Sequence, residues 1–481
     1  MVRRETMRRR RRTIAVASLL VAGLAMTGAA RNRDGFDHRS GRLGQSLLAA
    51  VRDQDFDRVV DFGPVESACP GSSWCPSPAP VIAHMPNIDL AVIALDRSGR
   101  PKAVADVLFS RDYPDGVAVP VGDDLGTDDV RWRRWNPDRW NGGTFSASDG
   151  SRATTVGWKD NPPLTADDDI VPGRDGAPLE FMAPYPASTF KLMVAFQTLR
   201  LVDGRRIDLD RDYRYDPPGG PAMTRTTRQL LDKMITESDN DSAQALLKQL
   251  HDLGAVDDLN QTFRDLDLAT LQVNGTDPAT GKNWGVGRIT MTSLDTARLL
   301  LLVNGSPGTV WRTPAGKRVR ADVLSPASRE LFLGLLADQG WNDILTTSNW
   351  CGRDYPRPGI PSLVADRWVD PGTGTVSVAD KSFGQDVRPC NDRAEVSFAH
   401  KTGFTYNYLA DAGIVRPLDG EKGDSYIVVM MSNLGYRYAD ARQAAVTRPV
   451  CDDDPGNDDG VCYTEKFAGL GRAVDSILRR R

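Results

Sequence analysis

The chain has 481 residues, 40% of them hydrophobic, with a net charge of −4. That is ample apolar material for a large core. The near-neutral balance leaves no basic face for a nucleic acid, so partners of that class are excluded.

Arginines at Arg8 to Arg12 precede an uncharged run from Ile14 to Ala30. A positive start, an apolar stretch and small residues at the exit form a secretory signal, with Gly28-Ala29-Ala30 as the cleavage region. We therefore expect residues 1–30 to be a signal peptide and the chain to be exported: secreted, periplasmic or bound to a cell wall. An uncleaved N-terminal anchor is the alternative, and would be the sole membrane contact. Cysteine usage points the same way. Cys69, Cys75, Cys351, Cys390, Cys451 and Cys462 form an even set, without the CxxC spacing or nearby histidines of a zinc site. Sequential pairing is preferred, because each bridge then pins one loop, although the sequence leaves other pairings open.

Residues 31–85 are polar and rich in Gly, Ser and Pro, with one candidate helix around Leu43 to Arg52, and read as a linker or appendage. Ile88 to Leu95 and Ala103 to Phe109 are predicted strands. From about Arg111 to Asp175 the sequence has no clear period and reads as an insertion. Its Trp132, Trp135 and Trp140, interleaved with arginines, fit the packed core of that insertion better than a glycan-binding face. A helical pattern begins at Ser188 and runs to Val202. Further helices are predicted over Thr226 to Thr236, Asp241 to Leu250, Val256 to Leu266, Ser293 to Val303 and Ser328 to Asp338. Strands return at Val396 to His400, Tyr408 to Val415 and Tyr426 to Met431, and Phe467 to Leu478 closes the chain as an amphipathic helix. This order implies an α+β domain over 86–481, in three layers (α/β/α). Its first and last segments share one antiparallel sheet, and a helical lobe spans about 188–310.

Three short motifs carry the chemistry. Ser188-Thr189-Phe190-Lys191 opens a helix, which puts Lys191 one turn from Ser188. A serine hydroxyl needs a base to become a nucleophile, and a buried lysine can supply one. Ser238-Asp239-Asn240 sits between two helices, where an N-cap is the structural alternative. Lys401-Thr402-Gly403 lies on a late strand, where lysine offers charge, threonine a hydroxyl and glycine close approach.

In this order and context the set resembles class A β-lactamases and penicillin-binding proteins. The resemblance covers roughly Ile88 to Leu478, with long insertions before Ser188 and between Val303 and Val396. It implies that Ser188 is the nucleophile, Lys191 its base and Ser238 a proton relay to the leaving nitrogen. Asn240 would bind a substrate amide, and Lys401 and Thr402 a carboxylate. The N–H groups of Ser188 and Phe404 would form the oxyanion hole. The implied partner is a β-lactam or a peptidoglycan stem peptide, and no cofactor or metal is called for. One departure stands out. The family's deacylating glutamate falls near Thr276, and no Glu occurs from Asp265 to Arg288. Asp277 is the only carboxylate close by, so deacylation is expected to be slow. Phe404, where the family usually has a small residue, is expected to narrow the site.

Other readings fit less well. A Ser-His-Asp hydrolase lacks its GxSxG elbow, and the chain has only His38, His84, His251 and His400. A D-Ala-D-Ala peptidase or a weakly catalytic peptidoglycan-binding module stays open as an alternative. The acidic run from Asp452 to Asp459 breaks EF-hand spacing at Pro455 and Gly456, and reads as a solvated loop.

Overall fold

The computed structural model describes residues 35–61, 81–82, 85–135, 165–351, 358–405, 407–435, 438–440 and 465–479. The signal-like segment, Cys69, Cys75, Cys451, Cys462, Trp140 and the acidic run lie outside these residues.

Residues 35–52 form helix α1. Strands β1 (Ile88–Leu95), β2 (Pro101–Phe109) and β3 (Val117–Ala118) follow. The helical part contains α2 (Lys191–Asp203), α3 (Asn240–Asp252), α4 (Ser293–Asn304) and α5 (Pro326–Ala337). Strands β4 (Val396–Phe404), β5 (Leu409–Pro417) and β6 (Tyr426–Ser432) come next, then helix α6 (Glu465–Arg479). The six strands form one sheet in the order β4-β5-β6-β1-β2-β3, with every neighbour antiparallel. Early and late segments therefore share the sheet. Every residue of β1 is buried, as expected for an unbroken apolar run at the centre of a sheet covered on both faces.

Strand alternation shows what covers each face. Asp89 accepts from Ser293 N–H at the start of α4, and its register partner is Met431. Tyr426 lies an odd number of residues away on β6, so it faces the opposite side, where its hydroxyl donates to Asp475 of α6 at 3.1 Å. The helical lobe therefore covers one face and α6 the other, giving three layers. Local signals set the helix ends. Thr292 caps α4, and Gly305 at φ 83° ends it in the left-handed region that glycine tolerates. Ser325 with Pro326 starts α5.

One segment differs from its reading as a linker. Helix α1 buries Leu43, Leu47 and Val51 in the main core, and the Phe56 ring packs, tilted, against Phe467 of α6 at 4.9 Å. The first insertion has its own small core around Trp132, which meets Phe181 edge-on, and Trp135 is also buried. The second surrounds Trp350, Val376, Val378 and Phe383, and the Cys351–Cys390 disulfide closes it. That pairing is the one preferred from sequence.

Candidate functional site

Ser188 does not lie in the α-helix proper. Ala187–Phe190 form a tight 3-10 turn, entered through Ala187 at φ 46°, and α2 begins at Lys191. Ser188 is half-buried, whereas Lys191 is fully buried as the first helical residue.

The Lys191 amine is bonded to the loop before α3 and to its first residue. It donates to Ser238 O at 2.5 Å, to Asn240 Oδ1 at 2.8 Å and to Ser238 Oγ at 3.2 Å. These three acceptors explain a departure from expectation. Ser188 Oγ makes no hydrogen bond among the described residues, and Lys191 is not bonded to it. Asn240 accepts from Lys191 through its carbonyl, which leaves the Nδ2 amide as the group able to donate to a substrate carbonyl.

Ser238 adopts the left-handed conformation, φ 61° and ψ 27°, at the end of a π-helical turn over Lys233–Glu237. Asp239 then caps α3 by accepting from Ser242 N–H at 2.9 Å. The bend turns Ser238 Oγ inward, where Lys401 Nζ donates to it at 2.9 Å. Lys401 is fully buried and also donates to Thr402 O at 2.9 Å. Two lysine amines therefore meet one serine hydroxyl.

Burial decides the charge on these amines. It pushes Lys191 down to about 7, against the smaller opposing pull of Asp239. Burial also carries Lys401 well below the usual lysine range, reinforced by the neighbouring charge of Lys191, while Asp411 and Asp343 oppose it. A lysine that is half neutral near pH 7 is chemically able to accept a proton.

Strand alternation divides the rest of the Lys401-Thr402-Gly403 motif. Lys401 and Gly403 face the Ser188 turn, and Thr402 faces the other way. Thr402 Oγ1 is buried and has no hydrogen-bond partner among the described residues. Gly403 is used differently from expectation. A Cβ there would stand 2.6 Å from Pro186 O and 2.7 Å from Thr189 N, so the glycine admits the Ser188 turn itself. Phe404 is half-buried, and its ring meets Trp341 edge-on at 6.0 Å.

Asp277 stands apart from this cluster. Its carboxylate accepts from Ala279 N–H at 2.8 Å and Thr280 Oγ1 at 2.9 Å, and these bonds hold it below the usual carboxylate range. Trp284, in the same connection, packs on Phe190 at 5.3 Å. His400 is fully buried, with Nδ1 2.7 Å from Asp411 Oδ1 and Nε2 3.1 Å from Asn342 Oδ1. No group of three potential metal-ligating side chains occurs among the described residues.

The sequence model of the Beta-lactamase enzyme family matches residues 183–449, more than half of the chain and all three motifs. The chain belongs to the β-lactamase enzyme family. No curated protein matches it. Among solved structures it is similar to PBP-A, at 20% identity and a TM-score of 0.37, over 60% of this chain and 80% of that one. It is also similar to a β-lactamase from Chitinophaga pinensis, at 16% identity and a TM-score of 0.35, over 60% and 83% of the two chains. A third is a β-lactamase from Streptosporangium roseum, at 17% identity and a TM-score of 0.36, over 61% and 84%.

For this member of the β-lactamase family, the motif residues that meet are Lys191, Ser238, Asn240 and Lys401, with Gly403 packed on the Ser188 turn. Sequence reasoning missed Gln339 and Trp341, which contact the backbone before Ser238. It also missed Asp411 and Asp343, the buried acids behind Lys401. The only signal was weak: polar residues following a predicted helix.

Proposed function

We propose that this protein is a serine acyl-transfer hydrolase in which Ser188 is acylated by β-lactams or peptidoglycan-type amides, and that the acyl-enzyme is long-lived. The observation carrying this reading is the pair of buried lysines on Ser238 Oγ, with the Ser188 turn packed against Gly403. In the proposed step, neutral Lys191 takes the Ser188 proton as Oγ bonds to the substrate carbonyl carbon. The oxyanion lies between the N–H groups of Ser188 and Phe404. The C–N bond then breaks. The leaving nitrogen takes its proton from Ser238, which is resupplied by the lysine ammonium. Lys401 provides positive charge for an anionic substrate, since a carboxylate drawn alongside would favour its protonated form.

Two observations support slow deacylation: no glutamate lies between Asp265 and Arg288, and the Asp277 carboxylate is committed to its own turn. Export is supported by the N-terminal sequence and by the Cys351–Cys390 disulfide. No described helix is long and apolar enough to cross a membrane.

A second reading, a peptidoglycan-binding module that does not acylate, is favoured by the missing bond between Ser188 Oγ and Lys191. Labelling with a fluorescent penicillin separates the two. Covalent labelling that is lost in Ser188→Ala supports the enzyme, and reversible binding without a covalent adduct supports the module.

A further inference from the structure

A stretch outside the three motifs ties two of them together. The last carbonyls of any helix lack intrahelical partners. At the end of the turn Lys233–Glu237, three consecutive carbonyls are taken by the residues after α5. Gln339 Nε2 donates to Ile235 O at 3.0 Å, Gly340 N to Thr236 O at 2.9 Å, and Trp341 Nε1 to Glu237 O at 2.8 Å. The next residue is Ser238, in its left-handed conformation. Gln339 Nε2 also donates to His400 O at 3.3 Å, one residue before Lys401. A single buried amide thus spans the backbone leading to Ser238 and the backbone leading to Lys401.

The stretch is held firmly from behind. Asn349 Nδ2 donates to Gly340 O at 2.7 Å, and Asn342 Nδ2 to Gln339 O at 3.0 Å. Gly340 leaves no space for a side chain, because a Cβ would stand 2.6 Å from Val378 Cγ1. Trp341 meets Phe383 of the second insertion edge-on at 6.2 Å. The insertion core therefore backs the clasp, whose hydrogen bonds to the backbone before Ser238 and Lys401 all end on main-chain carbonyls, while the Trp341 ring also packs on Phe404.

We propose that Gln339 and Trp341 are positioning residues: they fix Ser238 between Lys191 and Lys401, so the region between α5 and β4 controls acylation without touching substrate. This rests on reading Ser188 as the nucleophile. Its consequence for Lys191 is direct, because two of that amine's three acceptors are Ser238 atoms. A looser Ser238 leaves the amine better solvated and more basic. The charged or titratable groups facing Lys191 are Asp239 from the loop and Lys401 from β4, with Asp343 and Asp411 behind Lys401.

The experiment compares three variants of the full chain. Trp341→Phe keeps the ring but removes the donor. Gln339→Met keeps the length but removes both Nε2 bonds and the Oε1 acceptor of Trp341 N–H. Val376→Ala perturbs the insertion core without touching the clasp. Each is measured for acylation by a fluorescent penicillin against concentration and pH, for Tm, and for amide hydrogen exchange over residues 236–240. We expect the acylation rate constant to fall about 3- to 10-fold for Trp341→Phe, the loss of one net hydrogen bond, and by more for Gln339→Met. Penicillin affinity should hardly change, the pH midpoint should move upward, and exchange should quicken. Val376→Ala should lower Tm alone. The proposal is overturned if Trp341→Phe and Gln339→Met lower only Tm, or if exchange quickens while rate and midpoint stay fixed. If the wild-type protein is never labelled, the nucleophile reading fails. The exchange comparison then decides the clasp by itself: unchanged exchange rejects it, and quickened exchange supports it.

Discussion

Two walls flank the Ser188 turn, one packed on it through Gly403 and the other through Trp284 against Phe190, and they are built on opposite principles. On one wall, α2, the loop before α3 and strand β4 converge from distant parts of the chain. They remove two lysine amines from water around one serine hydroxyl. Desolvating an amine is unfavourable unless neighbours compensate, so such an arrangement persists because the rest of the fold over-determines it. On the other wall, the connection from residue 266 to 292 spends its polar groups locally. Asp277 bonds Ala279 and Thr280, Asn274 bonds Gln272, and Thr276 bonds His251. A general base works best with its pKa raised toward the operating pH. Lys191 has moved toward that range from above, whereas the turn drives Asp277 further below it. The contrast supports the proposed ester at Ser188 and its slow hydrolysis.

The strongest way to break this contrast is to remove the base from the first wall. Lys191→Met keeps the bulk and deletes the amine, and we expect labelling of Ser188 to slow by about 10²- to 10⁴-fold. Labelling at the wild-type rate would move the base role elsewhere. The pH profile sharpens the same point with a smaller effect. Lys191 accepts a proton only when neutral, and its midpoint lies at about 7. Acylation should therefore rise with pH through 7, falling about tenfold from pH 8 to pH 6. A rate that is flat over this range, or higher at low pH, would contradict the assignment.

Gly403→Ala probes how closely the first wall is packed. The new methyl would press on Pro186 O and Thr189 N, and either the turn or the strand must give. We expect a loss of about 1–3 kcal/mol in denaturant unfolding and slower labelling, since overpacking displaces the Ser188 backbone. Unchanged stability would mean that this contact is loose. The smallest effect is expected on the second wall. Asp277→Ala should leave adduct lifetime within about twofold, the size of effect left when a removed group takes no part in the rate-limiting step. A large increase in lifetime would show that the loop rearranges to present Asp277.

Much of the fold could be read before the structure. Ile88–Leu95 and Tyr426–Met431 are dense apolar runs that suit a covered sheet, and the order of elements implied that the first and last segments share it. Helix α1 was harder to place. Leu43, Leu47 and Val51 make a short stripe within a polar, Gly- and Ser-containing stretch, and α1 packs on β2 and β3, which lie well beyond it in the chain. The site divides in the same way. Ser188, Lys191, Ser238 and Lys401 stand in motifs whose spacing carries meaning. The burial of Thr402 follows from which strand face meets the turn, and the capture of Asn240 by Lys191 follows from loop geometry, and neither leaves a trace in spacing. Gln339 and Trp341 bond main-chain carbonyls, which every sequence provides, so no pattern marks their partners.

The central claim is a long-lived ester on Ser188, and intact-mass spectrometry of the full chain after exposure to benzylpenicillin tests it most directly. The expected result is one covalent adduct per chain, formed on the wild type, absent from Ser188→Ala and still present well after free penicillin is removed. An adduct that survives in Ser188→Ala would contradict the nucleophile, and one that vanishes as fast as it forms would contradict its persistence.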